Sequence, residues 1–171
     1  MATTVAMTNY SAQKTLHFWL NGGGTAVTQA AARPYIYLFT GTPTDDSGTG
    51  YTALSGGVTY TPQQLPLMNV AVPSSGTDFQ RAWNNAAISF TMGGTGTSTA
   101  NGILICLNNS AIPSLTNSNS QNDFLYYTSL IVNPVLYYGT FSSGISLNPG
   151  DTLTFSTGAN TALSGIAIDQ Y

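Results

Sequence analysis

Short segments in which apolar and polar residues alternate constrain the fold of this chain more than any other feature. In residues 88–92, isoleucine, phenylalanine and methionine alternate with serine and threonine, and residues 152–155 repeat the pattern with leucine, phenylalanine and threonine. A period of two places alternate side chains on opposite faces of a strand, so that one face is buried and the other is exposed. The alternation predicts an all-β protein of short strands.

Other segments are apolar throughout, namely residues 35–39, 103–107 and 135–138. Such runs indicate strands that are covered on both faces. Turn residues separate the strands: residues 148–151 read Asn-Pro-Gly-Asp, which is typical of a type II turn, and residues 41–50 and 93–100 are expected to be polar loops. Together these features predict an antiparallel β-sandwich, similar to a jelly roll.

One helix is expected near the beginning of the chain, over residues 11–21. Ser11 is a suitable N-cap, Leu16, Trp19 and Leu20 fall on one helical face, and glycines 22–24 end the pattern. The predicted organisation is therefore a single β domain over residues 1–171. It includes an extended N-terminal arm over residues 1–10, the helix, and an insertion over residues 109–133.

The insertion over residues 109–133 interrupts the rhythm of short strands. Its first part is rich in asparagine and serine and contains few apolar residues. Irregular segments longer than about 12–15 residues are uncommon in compact domains and are usually functional or disordered. We interpret the insertion as a contact arm, and a loop without a binding role is the alternative.

The chain has very few charges. It contains three basic and six acidic residues, so that 5% of its residues are charged, against about 25% in ordinary soluble domains. Three cations cannot neutralise a run of phosphates, which argues against nucleic acid as a partner, and they cannot form a basic membrane-binding helix. The apolar runs are too short to span a bilayer. Residues 1–10 lack the pattern of a signal peptide, so we expect synthesis in a cytoplasm.

Residues suited to catalysis are scarce. His17 is the only histidine, and it falls within the predicted helix. Asp45 and Asp46 are adjacent in a turn sequence, whereas a glycosidase needs two carboxylates about 5–10 Å apart across a cleft. Cys106 lies in an apolar run and is expected to be a buried thiol. One histidine and one cysteine cannot form a closed zinc site. We therefore expect no enzymatic activity, no metal and no cofactor.

Several short stretches occur in a fixed order between residues 9 and 156. They are Asn-Tyr (9–10), Gly-Gly-Thr-Ala (23–26), Tyr-Ile-Tyr-Leu-Phe-Thr (35–40), Pro-Thr-Asp (43–45), Ser-Gly-Gly (55–57), Asn-Ala-Ala-Ile-Ser-Phe (85–90), Leu-Tyr-Tyr-Gly (136–139) and Gly-Asp-Thr-Leu-Thr-Phe (150–155). In this order they resemble a family of small bacteriophage virion proteins that are commonly labelled tail-fibre-like. The insertion over residues 109–133 departs from the family pattern.

The resemblance implies a structural role in a phage particle. Together with the low charge, it favours a capsid cement (decoration) protein on the outer surface of the capsid. Its expected partners are the major capsid protein and further copies of itself in a homotrimer, with no nucleic acid and no membrane. The alternative is a tail or tail-fibre component that binds a receptor or a glycan. No catalytic residue follows from the resemblance.

Contact residues are expected in the insertion and among the tyrosines that follow it. Neutral side chains such as these can be buried against another protein without the cost of desolvating ions, so attachment should depend weakly on salt. The candidate interface residues are Asn109, Ile112, Leu115, Tyr126, Tyr127, Tyr137 and Tyr138.

Overall fold

The computed structural model describes residues 2–7, 33–43, 50–71, 80–106, 109, 135–158 and 165–170. All regular elements among them are β-strands, and no helix occurs in these ranges. The helix predicted over residues 11–21 lies outside them. The strands are β1 (Ala2–Met7), β2 (Tyr35–Gly41), β3 (Tyr51–Ala53), β4 (Val58–Thr59), β5 (Gln63–Gln64), β6 (Met68–Ala71), β7 (Gln80–Asn84), β8 (Ile88–Thr91), β9 (Gly93–Gly94), β10 (Ser98–Cys106), β11 (Val135–Leu147), β12 (Thr152–Phe155) and β13 (Gly165–Gln170). For the described residues, the prediction of an all-β fold with mainly antiparallel strands is confirmed.

Most strands belong to one large sheet in the order β3-β2-β10-β11-β1-β13-β7-β6, and β5 also pairs with β2. Two small sheets consist of β8 with β12 and of β4 with β9. Every pair is antiparallel except β1 with β13, which is parallel. The sheets are therefore mainly antiparallel, as the sequence predicts.

Strand β1 lies in the interior of the large sheet. The sequence predicts an extended arm over residues 1–10, and residues 2–7 are extended, but residues 2–5 pair with β13 and residues 5–7 pair with β11. Val5 lies opposite Gly139 of β11 and opposite Ile168 of β13. Since β11 and β13 are not neighbours, β1 is the strand that joins the two halves of the sheet.

Both faces of β2 and β10 are buried, as their uninterrupted apolar runs predict. Ile36 and Leu38 of β2 face one side, while Tyr37 and Phe39 face the other, and all four are at most 4% exposed.

The buried apolar side chains of the described residues divide into two clusters. The first includes residues of the large sheet and of both small sheets: Ile36, Leu38, Val58, Leu65, Ile88, Phe90, Met92, Ala100, Ile103, Ile105, Phe141, Leu147, Leu153, Phe155 and Ile166. The second contains Tyr37, Phe39, Tyr51, Leu104, Cys106, Val135 and Tyr138.

The edge of β2 is completed by a side chain. Strand β5 pairs with Tyr35 and Ile36, and β3 pairs with β2 only from Phe39 onwards. In the gap, the Tyr60 hydroxyl accepts a hydrogen bond from the Leu38 N–H at 2.9 Å and lies 3.0 Å from the Leu38 carbonyl oxygen, to which it donates. The hydroxyl thus satisfies two backbone groups that no strand reaches.

Asn84, at the end of β7, is fully buried and links three parts of the chain. Its Nδ2 donates to the carbonyl oxygens of Ala86 at 2.7 Å and Ser156 at 2.9 Å. Its Oδ1 accepts from the Ile166 N–H of β13 at 2.8 Å. Because every polar group of this amide has a partner, its burial is compatible with a stable core.

The prediction of a polar loop over residues 93–100 is wrong. Residues Gly93–Gly94 form β9, which pairs with β4, and β10 begins at Ser98. Glycine and small polar residues carry little hydrophobic periodicity, so these strand segments resemble a loop in sequence. Their pairing with distant strands, which the sequence does not reveal, supplies the hydrogen bonds that keep them extended.

The turn predicted over residues 148–151 is confirmed. Gly150 has a φ of 90°, and the Asp151 N–H donates to the Asn148 carbonyl oxygen at 3.1 Å. A positive φ at this position is what a type II turn requires, and glycine adopts it without steric cost. The turn connects β11 to β12 and so fixes the start of the small β8–β12 sheet.

Within the described residues, no helix has the length and apolar character needed to cross a bilayer.

Candidate functional site

The β8–β12 sheet presents a row of hydroxyl groups to solvent. Ser89, Thr91, Thr152 and Thr154 are all exposed, and we call these four residues the hydroxyl face. The register places Thr91 opposite Thr152 and Ser89 opposite Thr154. The Oγ atom of Ser89 lies 2.9 Å from the Oγ1 atom of Thr154. The face is therefore a small, ordered array of neutral hydrogen-bonding groups.

The opposite side of the same two strands anchors the hydroxyl face in the core. Ile88, Phe90, Leu153 and Phe155 alternate with the hydroxyl residues and are at most 8% exposed. The rings of Phe90 and Phe155 meet edge to face, with their centroids 6.2 Å apart. Tyr60 approaches Phe90 in the same geometry at 5.8 Å. These aromatic contacts fix the buried side of β8 and β12 against the core.

A hydrogen-bonded turn borders the hydroxyl face. The Oδ2 atom of Asp151 accepts from the backbone N–H of Asn148 at 2.8 Å and from its Nδ2 at 3.2 Å. The Oγ1 of Thr97 donates to Oδ1 of Asn148 at 2.8 Å. The carboxylate is thus engaged within the turn, and the charge next to the face is already paired with local donors.

The hydroxyl face can form hydrogen bonds with a polar surface. A hydroxyl both donates and accepts hydrogen bonds, so the face can meet the backbone or the polar side chains of a partner without burying an ion. Serine and threonine also lose less rotamer entropy on burial than lysine or glutamate.

Burial suppresses the ionisation of the titratable side chains in the described core. Cys106 is a free, fully buried thiol, and desolvation raises its pKa to about 12. A thiol with a raised pKa carries little thiolate, which is the nucleophilic form. Burial also raises the pKa of Tyr51, Tyr60 and Tyr137 above the usual value for tyrosine. In the described ranges, no three histidine, cysteine, aspartate or glutamate side chains cluster as a metal site would require.

The structure places only three of the predicted interface residues. Asn109 is exposed in a bend, Tyr137 is half-buried and packs against the first core cluster, and Tyr138 is 8% exposed and belongs to the second. Both tyrosines therefore contribute to the core of the described fold. The remaining predicted residues lie outside the described ranges: Ile112, Leu115, Tyr126 and Tyr127.

The hydroxyl face was not among the predicted interface residues, although its signal is present in the sequence. Alternation in residues 88–92 and 152–155 predicts that the hydroxyl side chains point away from the core. What the sequence does not show is that these two segments pair, because they are more than 60 residues apart. Only the pairing turns two separate rows of hydroxyls into one surface.

Comparison of the chain with protein families, with curated proteins and with solved structures finds no match.

Proposed function

We propose that this chain is a structural protein of a bacteriophage virion, specifically a capsid cement protein that bridges neighbouring subunits of the major capsid protein. The observation that carries the proposal is the hydroxyl face, an uncharged surface whose side chains lie opposite each other on two paired strands. In this proposal the protein works as a homotrimer on the outer capsid surface. It needs no cofactor and carries out no reaction.

The bridging mechanism depends on the assembled shell. A protein that binds across two capsid subunits binds only when both are in place, and it therefore stabilises the shell relative to separated subunits. The hydroxyl face supports this role because its burial costs no ionic desolvation. Contacts of this kind rely on hydrogen bonds and shape, so ionic strength has little effect on them.

Four of the stretches that resemble the virion family contain residues of structural strands, which also supports the proposal. Residues 35–40 lie in β2, residues 88–90 in β8, residues 136–139 in β11 and residues 152–155 in β12. The resemblance therefore concerns the framework of the fold. We further propose that the β8–β12 sheet stacks on the large sheet as the second layer of a sandwich similar to a jelly roll. The first core cluster, which contains residues from both sheets, supports this.

A tail or tail-fibre component with a receptor- or glycan-binding role is the second candidate. The name commonly given to the resembling family favours it. The two candidates differ in the number and the position of copies on the particle.

Immunogold labelling of purified particles of the phage that encodes the chain tests the proposal. We expect many labels over the head, and capsid binding that changes less than about threefold between low and high salt, since few ion pairs form. A few labels confined to the tail would support the second candidate instead. The absence of the protein from purified particles would overturn both.

A further inference from the structure

Strand β1 occupies a slot one strand wide in the large sheet. Residues 2–5 pair in parallel with residues 165–168 of β13, and residues 5–7 pair antiparallel with residues 137–139 of β11. The two ladders overlap at Val5, which is paired on both sides. Neighbouring strands lie about 4.8 Å apart, so at this point the edges of β11 and β13 are separated by about twice that distance. They could not hydrogen-bond directly across the gap. The slot is therefore incomplete without an inserted strand.

Both edges of the slot have their other sides already paired. β11 pairs with β10 on its far side, and β13 pairs with β7. Residues 137–139 of β11 and residues 165–168 of β13 take their strand partner at the inner edge from β1. Edges that lack such a partner are templates for a strand from another chain.

The inserted segment and the slot carry no charge where they meet. Residues 2–7 read Ala-Thr-Thr-Val-Ala-Met, and residues 137–139 and 165–168 are also uncharged. A second copy of the same strand would therefore make identical hydrogen bonds in the slot with no electrostatic penalty. The only difference between the two arrangements is the path of the connecting chain.

That connection is long enough to reach another molecule. Residues 8–32 separate β1 from the next described residue, Arg33. A segment of this length spans at most about 80–90 Å when extended, which exceeds the diameter of a domain of this size. Exchange of identical elements between copies is a low-cost route to an oligomer, because the exchanged strand makes the same contacts in either copy.

We propose that β1 is an exchangeable strand: in oligomers of this chain, residues 2–7 of one copy fill the slot between β11 and β13 of a second copy. The partner is therefore another molecule of the same protein, and repeated donation closes a ring of any small number of subunits. The inference rests on the pairing of β1 alone and does not depend on a virion role.

Disulfide trapping between two full-length chains tests the exchange. One chain carries Val5→Cys and the other, labelled with ¹⁵N, carries Gly139→Cys, because these positions lie opposite each other in the β1–β11 register. Both also carry Cys106→Ala. After co-refolding at high concentration and oxidation, we expect a disulfide-linked dimer of mixed mass, at least fivefold more abundant than a control. The control pairs Val5→Cys with Ser89→Cys, an exposed position on β8.

A mixed dimer no more abundant than the control would overturn the proposal. The unmodified chain provides a second measurement that does not depend on tolerance of a cysteine at position 139. Oligomers prepared from ¹⁵N-labelled chain are mixed with oligomers prepared from unlabelled chain. In native mass spectrometry the two kinds of oligomer should exchange no subunits for hours, and mixed oligomers should appear only after unfolding and refolding. Rapid mixing under native conditions, or masses of single chains at every concentration, would show that β1 is not exchanged.

Discussion

The side-chain hydroxyl of Tyr60 serves as a strand partner for Leu38. It accepts from the Leu38 N–H at 2.9 Å and donates to the Leu38 carbonyl oxygen at 3.0 Å, in the gap that β5 and β3 leave along the edge of β2. Because Leu38 is fully buried, water cannot replace these bonds. One phenol group therefore completes the edge of a core strand.

Replacing Tyr60 by phenylalanine should destabilise the fold. The ring would still pack against Phe90, but the Leu38 N–H and carbonyl would lose their partner. A buried polar group without a partner costs about 1–3 kcal/mol, so the free energy of unfolding should fall by at least that amount. Urea denaturation measures the change. An unaltered midpoint of urea unfolding would mean that the Tyr60 hydroxyl does not stabilise the edge of β2.

Tyr51→Phe is the matched control, and we expect an effect of the opposite sign. The Tyr51 hydroxyl is buried and has no hydrogen-bond partner. Removing an unsatisfied buried hydroxyl relieves a desolvation cost of about 1–3 kcal/mol, so the variant should be as stable as the wild type or more stable. Thermal and urea unfolding of the two phenylalanine variants side by side checks both predictions. Equal destabilisation by both would contradict them.

Asn84→Ala should be among the most damaging single substitutions in the described fold. It would leave the Ala86 and Ser156 carbonyls and the Ile166 N–H without their partner. We expect a loss of about 3 kcal/mol or more in the free energy of unfolding. Asn85→Ala, at the exposed neighbouring position, should change stability by less than about 0.5 kcal/mol. Similar losses for the two variants would exclude a special role for the Asn84 amide.

Stability should decline in alkaline solution. The Cys106 thiol has an ordinary pKa of about 9 in the unfolded chain, whereas burial raises the pKa in the folded protein to about 12. The contribution of the protonated, buried thiol to the free energy of unfolding is therefore fully present below pH 9. It is lost as the pH rises towards 12, because Cys106 releases its proton at a lower pH in the unfolded chain than in the folded protein. The slope for one group is about 1.4 kcal/mol per pH unit.

The Cys106→Ala variant isolates this contribution. Between pH 9 and 10, below the ordinary pKa of the buried tyrosines, its free energy of unfolding should depend less on pH than that of the wild type. The comparison of slopes remains valid even though removal of the sulfur lowers stability at every pH. Identical slopes would show that the thiol does not titrate differently in the two states.

A positive charge on the hydroxyl face should weaken attachment to the capsid. Thr91→Lys places a cation on the face, where an unpaired buried charge is costly. We expect at least tenfold weaker binding to capsids, or about 1.4 kcal/mol. Thr99→Lys adds the same charge at an exposed position of β10 outside the face and should bind as the wild type does. Quantification of protein bound to sedimented capsids measures both.

Local patterns in the sequence predict the strands that form the core. The alternation in residues 88–92 predicts that one face of β8 is buried, and the uninterrupted apolar run in residues 35–39 predicts that both faces of β2 are buried. Both predictions are possible from the sequence alone because every second residue of a strand lies on the same face. The turn at residues 148–151 is predictable for a similar reason, since its proline and glycine set the backbone angles locally.

Features that depend on distant partners are not predictable from one sequence. The Tyr60 hydroxyl has a role only because β5 and β3 leave a gap along β2, and the hydroxyl face exists only because β8 pairs with β12. The interior position of β1 is of the same kind, since residues 2–7 show no strong alternation. The pattern at Tyr137 and Tyr138 is equally ambiguous, because aromatic residues suit both cores and interfaces; the structure shows both of them packed in the core clusters.

The parallel pairing of β1 with β13 also determines when the fold can be completed during synthesis. Ala2 is paired with Gly165, so the chain must be made through more than 160 further residues before this contact can form. The two halves of the large sheet therefore cannot be joined through β1 and β13 of one nascent chain until residues 165–168 have been translated. Contacts of such high sequence separation form slowly, so closure of this sheet is a late step in folding.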